Sequence, residues 1–154
     1  MSRKNIISEY LSDEELDKIA GTIGEIEKKT SGEIRVCIKR RRGFLEKKDT
    51  PREIAMKEFV RLKMHETRDK TGVLFFLIFN ERKFEIVADE GINSKISPGS
   101  WNEISGKLTD HFINKNYHAG ITKGLIEIGE VLIREFPVRD DDRNELPDDV
   151  IINP

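Results

Sequence analysis

The chain has 154 residues, which is enough for one domain with its own core and too few to expect two domains. Its formal net charge of -2 gives no general argument for nucleic acid or an anionic membrane as a partner. The single cysteine, Cys37, excludes an intramolecular disulfide and a cysteine-rich zinc site.

The start of the chain lacks the apolar core of a signal peptide. No stretch reaches the ~20 consecutive apolar residues that a membrane helix needs. We therefore expect a soluble, cytoplasmic protein with no membrane partner.

The first predicted elements are a helix and a strand. Ser12 and Glu15 stand in capping-box register, and apolar residues at helical spacing continue the helix to about Lys29. Over residues 33–39 apolar and polar residues alternate, which predicts a strand. We interpret Cys37 as a small residue within this strand rather than a reactive thiol, because its sequence neighbours supply no activating base.

A basic loop and a second helix follow. The loop spans residues 39–48, and its cations are compatible with a solvated connection or with contacts to phosphate or nucleic acid. Thr50, Pro51 and Glu53 form a strong helix start, and the helix is predicted to fade near Met64. Because this helix lies between two predicted strands, we expect those strands to be parallel and joined by a right-handed crossover.

The strongest β signal is a hairpin. Val73–Phe79 is a continuous apolar run, which is typical of a strand buried on both faces. The polar residues 80–83 predict a turn, and the alternation over residues 84–88 predicts an antiparallel return strand. A short strand or an irregular loop is expected over residues 92–97.

Two further helices are predicted. Ser100 and Glu103 stand in capping-box register at the start of the third helix. The fourth helix begins at Tyr117 and is stopped by Phe136 and the proline after it. Two glycines on its apolar side are expected to allow close packing on the sheet; they are Gly120 and Gly124.

The end of the chain is acidic. We assign residues 1–137 to an α/β domain and residues 138–154 to an acidic C-terminal tail. Apolar residues within the tail are expected to tether it to the domain; they are Leu146, Val150, Ile151 and Ile152.

The candidate functional site is a group of carboxylates at the ends of the predicted strands. Glu33 starts the first strand, Asp69 precedes the second, and Asp89 and Glu90 follow the third. With the first two strands parallel and the third antiparallel, all these positions share one rim of the sheet. Carboxylates held so close repel each other unless a cation or a proton intervenes, and hard divalent ions such as Ca²⁺ or Mg²⁺ prefer oxygen ligands. The alternative, ordinary solvated acids at strand ends, stays open.

Several other kinds of site are excluded or weakened by the sequence. The chain has no glycine-rich phosphate loop and no Gly-x-Ser-x-Gly nucleophile elbow. Its histidines, His65, His111 and His118, do not fall in a zinc-ligand spacing on one helix. What remains is chemistry carried by oxygen ligands.

Several segments together resemble one known family, the TPM domain. The similarity covers about residues 11–137, and the end of the chain resembles the stand-alone bacterial branch of the family. The segments that carry the resemblance are Ser31–Val36, Leu62–Met64, Thr67–Leu74, Ala88–Asn93, Trp101, Gly120 with Gly124, and Asn144–Asp148.

The resemblance implies a three-layer α/β/α sandwich around a small, about four-stranded, mixed sheet of Rossmann-like type. It also implies a Ca²⁺ or Mg²⁺ ion in an acidic crevice. Asp69 stands at the family's acidic position before Gly-Val-Leu, and Asp89 and Glu33 match positions of the stand-alone branch. Glu90 departs from the pattern, since relatives often have a basic residue there. Acid phosphatase activity is known for a plant member.

Three functions are consistent with these observations. The first is a divalent-metal-binding module without strong catalysis that serves a protein partner in stress or repair. The second is a weak metal-dependent acid phosphatase, which is disfavoured because no Arg or Lys clamp for phosphate is evident outside the basic loop. The third is nucleic-acid binding through residues 39–48. The sequence leaves the oligomeric state open.

Overall fold

The structure, a computed structural model, describes residues 8–138 and 150–153, which form four strands and five helices. The strands are β1 (Glu33–Lys39), β2 (Gly72–Ile78), β3 (Lys83–Ala88) and β4 (Ile151–Asn153). The helices are α1 (Asp13–Glu27), α2 (Pro51–Arg61), α3 (Glu90–Asn93), α4 (Pro98–Ile113) and α5 (Tyr117–Glu135). Single 3₁₀ turns occupy Phe44–Glu46, Met64–Glu66 and Phe79–Glu81.

The strands form one mixed sheet in the order β3-β2-β1-β4. β1 is parallel to both β2 and β4, and β2 is antiparallel to β3. The predicted parallel pairing across α2 and the predicted hairpin are therefore both confirmed. The sheet is mixed because the short turn after β2 reverses the chain, whereas the longer connection through α2 does not.

The sheet is covered by helices on both faces, which gives the expected three-layer sandwich. Alternate residues of the strands point to opposite faces, so each face has its own apolar core. On one face Val36 and Phe75 lie in a large core with α1, α4 and α5. On the other face Cys37 and Phe76 pack with residues of α2. Because both faces are covered, every residue of β1 and β2 is buried.

The helix starts predicted from capping boxes are confirmed at α1 and α2. The Glu15 backbone N–H donates to Ser12 Oγ at 3.1 Å, and Glu15 Oε1 accepts from the Ser12 backbone N–H at 2.9 Å. The same reciprocal pair joins Thr50 and Glu53 at the start of α2. Each pair satisfies backbone donors that the helix itself leaves free.

Two local predictions were wrong. Residues 92–97 were predicted as a short strand or an irregular loop, but residues 92 and 93 belong to the helix α3. This helix starts at Glu90 because the Asp89 side chain caps it. The next helix, α4, begins at Pro98 with Ser97 as its N-cap, three residues before the predicted N-cap Ser100. Proline has a fixed φ that suits the first helical position, and this preference overrode the capping-box spacing at Ser100.

The last residues of the chain belong to the sheet. Ile151–Asn153 pairs with β1 and is one of the two outer strands of the sheet, β3 being the other. Val150, just before it, is only 1% exposed. Ile151 and Ile152 pack against the two cores, so the predicted tether is confirmed for these residues. Leu146 and the acidic run lie in residues 139–149, outside the described residues. The division at residue 137 stays a prediction.

Close packing at Gly72 offers a test of this fold. A Cβ added at Gly72 would lie 2.6 Å from the carbonyl oxygen of Met64, a backbone atom that cannot easily yield. We expect Gly72→Ala to lower the free energy of unfolding by about 1–3 kcal/mol. Gly106→Ala is the control, because nothing lies within 4 Å of the added atom, and it should raise stability by about 0.5–1 kcal/mol. Urea denaturation of both variants measures the difference, and equal stabilities would contradict the packing described here.

Candidate functional site

The backbone brings the predicted acidic positions to one edge of the sheet. Glu33 aligns with Gly72 across β1 and β2, and the Glu33 N–H donates to Thr71 O at 3.0 Å. On the other side of β2, the Asp89 N–H donates to Gly72 O at 2.9 Å. Asp69 lies in the loop that enters β2. We call this edge the acidic rim and define it by Glu33, Asp69, Asp89 and Glu90.

Asp89 has one carboxylate oxygen engaged and one that is not. Its Oδ1 accepts a hydrogen bond from the Glu90 backbone N–H at 2.8 Å, which caps α3. Its Oδ2 is shielded from solvent and accepts no hydrogen bond from any residue that the structure describes. A buried carboxylate oxygen without a donor is unfavourable, so this atom is suited to a ligand that carries positive charge.

The other members of the rim differ in exposure. Glu33 is only 3% exposed, so it is not the solvated strand-end acid that the alternative interpretation required. Asp69 and Glu90 are exposed and match that interpretation better. Asp69 Oδ2 lies 3.5 Å from Arg68 Nε, an exposed ion pair that contributes little to stability.

The rim fits a hard cation in chemistry and in backbone position, but its side chains are not assembled around one point. Among residues 8–138 and 150–153, no group of three or more His, Cys, Asp or Glu side chains is arranged to hold a metal ion. Asp69 and Glu90 are exposed, so both side chains border solvent. Metal coordination here would therefore need these side chains to turn towards Asp89.

A cleft of about 270 Å³ opens beside Asp69. Sequence reasoning missed two charged residues in it, Glu135 and Lys95, because they lie far from Asp69 in the chain and belong to no motif. The Lys95 ammonium lies 5.0 Å from the centre of the Phe136 ring, a cation–π contact across the cleft. The remaining lining residues are Ser31, Thr71 and Pro137.

The cleft wall is held by hydrogen bonds between the start of β1 and the end of α5. Thr30 Oγ1 donates to Phe136 O at 2.5 Å, and the Ser31 N–H donates to the same oxygen at 2.9 Å. Thr30 Oγ1 also accepts from the Gly32 N–H at 3.1 Å. These bonds fix the end of α5, and with it Glu135, next to the rim.

Glycine allows α3 to approach the loop that carries Asp69. A Cβ at Gly91 would lie 2.5 Å from Lys70 O, so this position leaves no space for a side chain. The close approach holds Asp89 and Glu90 against the Asp69 loop. The signal was present in the sequence as the Asp-Glu-Gly segment after β3, but nothing in the pattern indicated what the glycine would contact.

The basic loop over residues 39–48 uses several of its cations internally. Arg42 donates to both carboxylate oxygens of Glu81, at 2.7 and 2.9 Å, and to Asp49 O at 2.7 Å. This guanidinium lowers the pKa of the Glu81 carboxyl. Lys39 Nζ donates to Glu46 Oε1 at 2.7 Å. Two cations that the nucleic-acid hypothesis counted as available are thus committed to holding the loop.

Cys37 lies within β1 with no exposed surface, as the interpretation of a small strand residue requires. Burial, together with the nearby Glu58 carboxylate, raises the pKa of the thiol to about 12. The thiolate is the nucleophilic form of cysteine, so this residue is unreactive at neutral pH.

The native protein should accordingly resist thiol reagents. We expect Cys37 to react with Ellman's reagent at pH 8 at least ~100-fold more slowly in the folded protein than in guanidinium chloride, because burial removes both access and thiolate. The absorbance of the released thionitrobenzoate measures both rates. Similar rates in the two conditions would show that the thiol is accessible and activated.

A four-stranded mixed sheet with helices on both faces and an acidic rim defines a three-layer α/β domain. Residues 7–131 match the model of the TPM domain family, so the chain belongs to that family. The resemblance seen in the sequence is thereby confirmed.

Solved structures show the same fold. The BA42 protein from the psychrophilic bacterium Bizionia argentinensis is 32% identical, with a TM-score of 0.85 over 96% of this chain and 98% of that one. The N-terminal domain of a P. gingivalis protein is 18% identical, with a TM-score of 0.68 over 82% of this chain and 79% of that one. The N-terminal domain of cg2496 from Corynebacterium glutamicum is 10% identical, with a TM-score of 0.61 over 81% and 76%.

Two negative findings complete the description. No curated protein matches the sequence significantly. Within the residues that the structure describes, no helix is both long and apolar enough to cross a bilayer.

Proposed function

We propose that this TPM-domain protein binds Ca²⁺ or Mg²⁺ at the acidic rim and acts as a binding or accessory module in a stress or repair process. Hard divalent cations take oxygen ligands, and all four residues that define the rim carry carboxylates. The same proposal includes a cytoplasmic location and a protein partner that binds the metal-bound form.

The single observation that carries the proposal is the state of Asp89. Its Oδ2 is shielded from solvent and has no donor among the described residues, although Oδ1 is engaged by the backbone of α3. Glu33, at 3% exposure, lies on the other side of the same Gly72. Carboxylates that come close together repel each other unless a cation or a proton intervenes, so a cation would stabilise Asp89 with other acids of the rim around it.

The residues would have unequal roles. Asp89 is already positioned by its cap on α3, so it would supply a ligand without ordering cost. Asp69 would complete the site by turning from Arg68, and Glu33 would add charge from the start of β1. Glu90 is exposed at the first turn of α3 and would contribute least.

Calorimetric titration tests this proposal. We expect Ca²⁺ or Mg²⁺ to bind the wild-type protein with measurable heat, and Asp69→Ala and Asp89→Asn each to weaken binding at least ~10-fold, because each removes an anionic ligand. Asp17→Ala is the matched control, since it removes an exposed carboxylate from α1 and should leave the heat unchanged. Unchanged titrations for both rim variants would refute the site.

A second candidate function, weak metal-dependent phosphatase activity, is supported by Lys95. Its ammonium lines the same cleft as Asp69 and could hold the charge of a phosphate. A divalent ion bound at the rim would polarise a phosphoryl oxygen. Apart from the basic loop, the sequence offered no such cation, so Lys95 is the observation that keeps this function under consideration.

Hydrolysis of p-nitrophenyl phosphate tests the second candidate. The required result is a turnover that Mg²⁺ or Ca²⁺ stimulates, that Asp89→Asn abolishes and that Lys95→Ala lowers by about 10–100-fold, because the ammonium would stabilise transferring charge. Lys29→Ala is the control, an exposed lysine at the end of α1. Activity that survives Asp89→Asn would be assigned to a contaminating enzyme.

Nucleic-acid binding through residues 39–48 ranks last. Arg42 and Lys39 are held by carboxylates and carbonyls of the protein itself, so fewer cations face solvent than the sequence suggested.

A further inference from the structure

The most exposed large apolar side chains in the described residues are two neighbours, Phe44 and Leu45. Phe44 is 79% exposed and Leu45 is 90% exposed. Both lie on the short 3₁₀ turn Phe44–Glu46, within the loop that follows β1. Single exposed apolar residues are ordinary, but an adjacent aromatic and aliphatic pair projecting from a loop calls for a physical explanation. We call this pair the apolar tip.

The loop under the apolar tip is firmly braced. The Gly43 N–H donates to Glu46 Oε1 at 2.6 Å, and the same carboxylate oxygen accepts from Lys39. Arg42 joins the loop to the turn after β2 through Glu81 and also donates to Glu46 O at 3.0 Å. Much of the ordering cost of presenting the tip is therefore met by bonds within the protein, which favours binding through it.

The surroundings of the apolar tip are positively charged. Arg41, Lys47 and Lys48 are exposed and form no ion pair with any described residue. The Lys47 ammonium lies 4.5 Å from the centre of the Phe44 ring. The nearby carboxylates are already used: Glu46 by Lys39, and Asp49 by Lys57 at 2.7 Å. The charge presented to a partner at this place is thus cationic.

This basic character continues along the same edge of the sheet. Lys39 aligns with Ile78, and Ile78 aligns with Lys83, so the end of β1 and the start of β3 share this edge. Beside them Arg82 and Lys115 line a recess of about 320 Å³ together with Tyr10 and Tyr117. Glu9 also lines this recess, and its carboxylate is paired with Arg40 at 3.1 Å. We call this end of the sheet the basic edge and define it by Arg41, Lys47, Lys48, Arg82, Lys83 and Lys115. It lies at the opposite ends of the strands from the acidic rim.

We propose that the basic edge docks on an anionic phospholipid bilayer, with Phe44 and Leu45 inserted among the headgroups and Arg41, Lys47 and Lys48 on the lipid phosphates. Charge complementarity favours the anionic surface, and an exposed apolar tip on a braced loop can insert into a lipid interface. A nucleic acid would use Phe44 for stacking but would leave Leu45 without a function. The composition did not predict this partner, because net charge averages the basic edge with the acidic rim.

Docking of this kind is peripheral, so it needs no membrane-spanning helix. It combines two weak contributions, apolar insertion and electrostatic attraction, and neither alone is sufficient for stable binding. With the basic edge on the bilayer, the acidic rim at the other ends of the strands faces away from the lipid. The proposal does not depend on metal binding.

Co-sedimentation of the full chain with vesicles tests the proposal. We expect binding to vesicles of phosphatidylcholine with one third phosphatidylglycerol, little binding to pure phosphatidylcholine, and loss of binding at high salt because the attraction is electrostatic. Phe44→Ala with Leu45→Ala should weaken binding by at least ~10-fold through lost apolar burial. Arg41→Gln with Lys48→Gln should weaken it by roughly 10-fold or more.

Matched double variants separate the basic edge from general surface properties. Val60→Ala with Ile126→Ala removes two exposed apolar side chains from helices, and Lys28→Gln with Lys29→Gln removes two exposed charges near the end of α1. Both controls should bind vesicles as the wild type does. Thermal melts should show that all four variants remain folded, because none of the altered side chains is buried in the core.

Three results would overturn the proposal. The first is no binding to anionic vesicles at low salt. The second is vesicle binding that the alanine pair at the apolar tip leaves unchanged, which would indicate attraction by charge alone. The third is binding to a DNA oligonucleotide that is stronger than binding to anionic vesicles and that the alanine pair leaves unchanged. This result would assign the basic edge to nucleic acid.

Discussion

The parallel pairing of β1 with β2 is the constraint on which the remainder of this structure depends. It aligns Glu33 with Gly72, and the reversal after β2 then returns Asp89 to the other side of the same glycine. Had β1 and β2 been antiparallel, Glu33 would lie at the far end of the sheet from Asp89. The parallel arrangement is imposed by the α2 crossover, whose apolar face must cover one side of the sheet. Packing of α2 therefore decides which acidic positions share one end of the sheet.

The same pairing separates charge along the strands. The acidic rim lies where β1 and β2 start and β3 ends. The opposite ends of these strands carry the basic loop and its neighbours. A formal net charge of -2 conceals this division, because it sums 27 Lys and Arg against 29 Asp and Glu without regard to where they lie. The two edges are also built differently. Within the described residues, the side chains of the acidic rim do not converge on one point. At the basic edge, Glu46 and Glu81 instead form ion pairs with Lys39 and Arg42 that brace the loop.

The candidate site was only partly accessible to sequence reasoning. The sequence predicted that Glu33, Asp69 and Asp89 lie at one end of the sheet, because the hydrophobic pattern indicates the strand boundaries and the crossover determines the topology. Their role as metal ligands stays a prediction. Burial of Glu33 and the shielded Oδ2 of Asp89 were not, since both depend on how loops and α3 pack. Lys95 and Glu135 line the cleft together with Phe136, and the Lys95 ammonium lies over the Phe136 ring. The sequence had indicated Phe136 only as the end of a helix. Metal binding itself stays a proposal.

The sequence by itself determined the fold class, the parallel and antiparallel strand pairs, the family and the two capped helix starts, because periodicity and capping are local properties. It failed at residues 92–97 and at the start of α4, where a side-chain cap and a proline φ override spacing. Only the tertiary structure decided that Ile151–Asn153 completes the sheet and that Phe44 and Leu45 project from a braced loop. The physical reason is that residues distant in the chain determine both features. The two cores hold the last strand against β1, and the Arg42–Glu81 bond holds the loop that exposes Phe44 and Leu45.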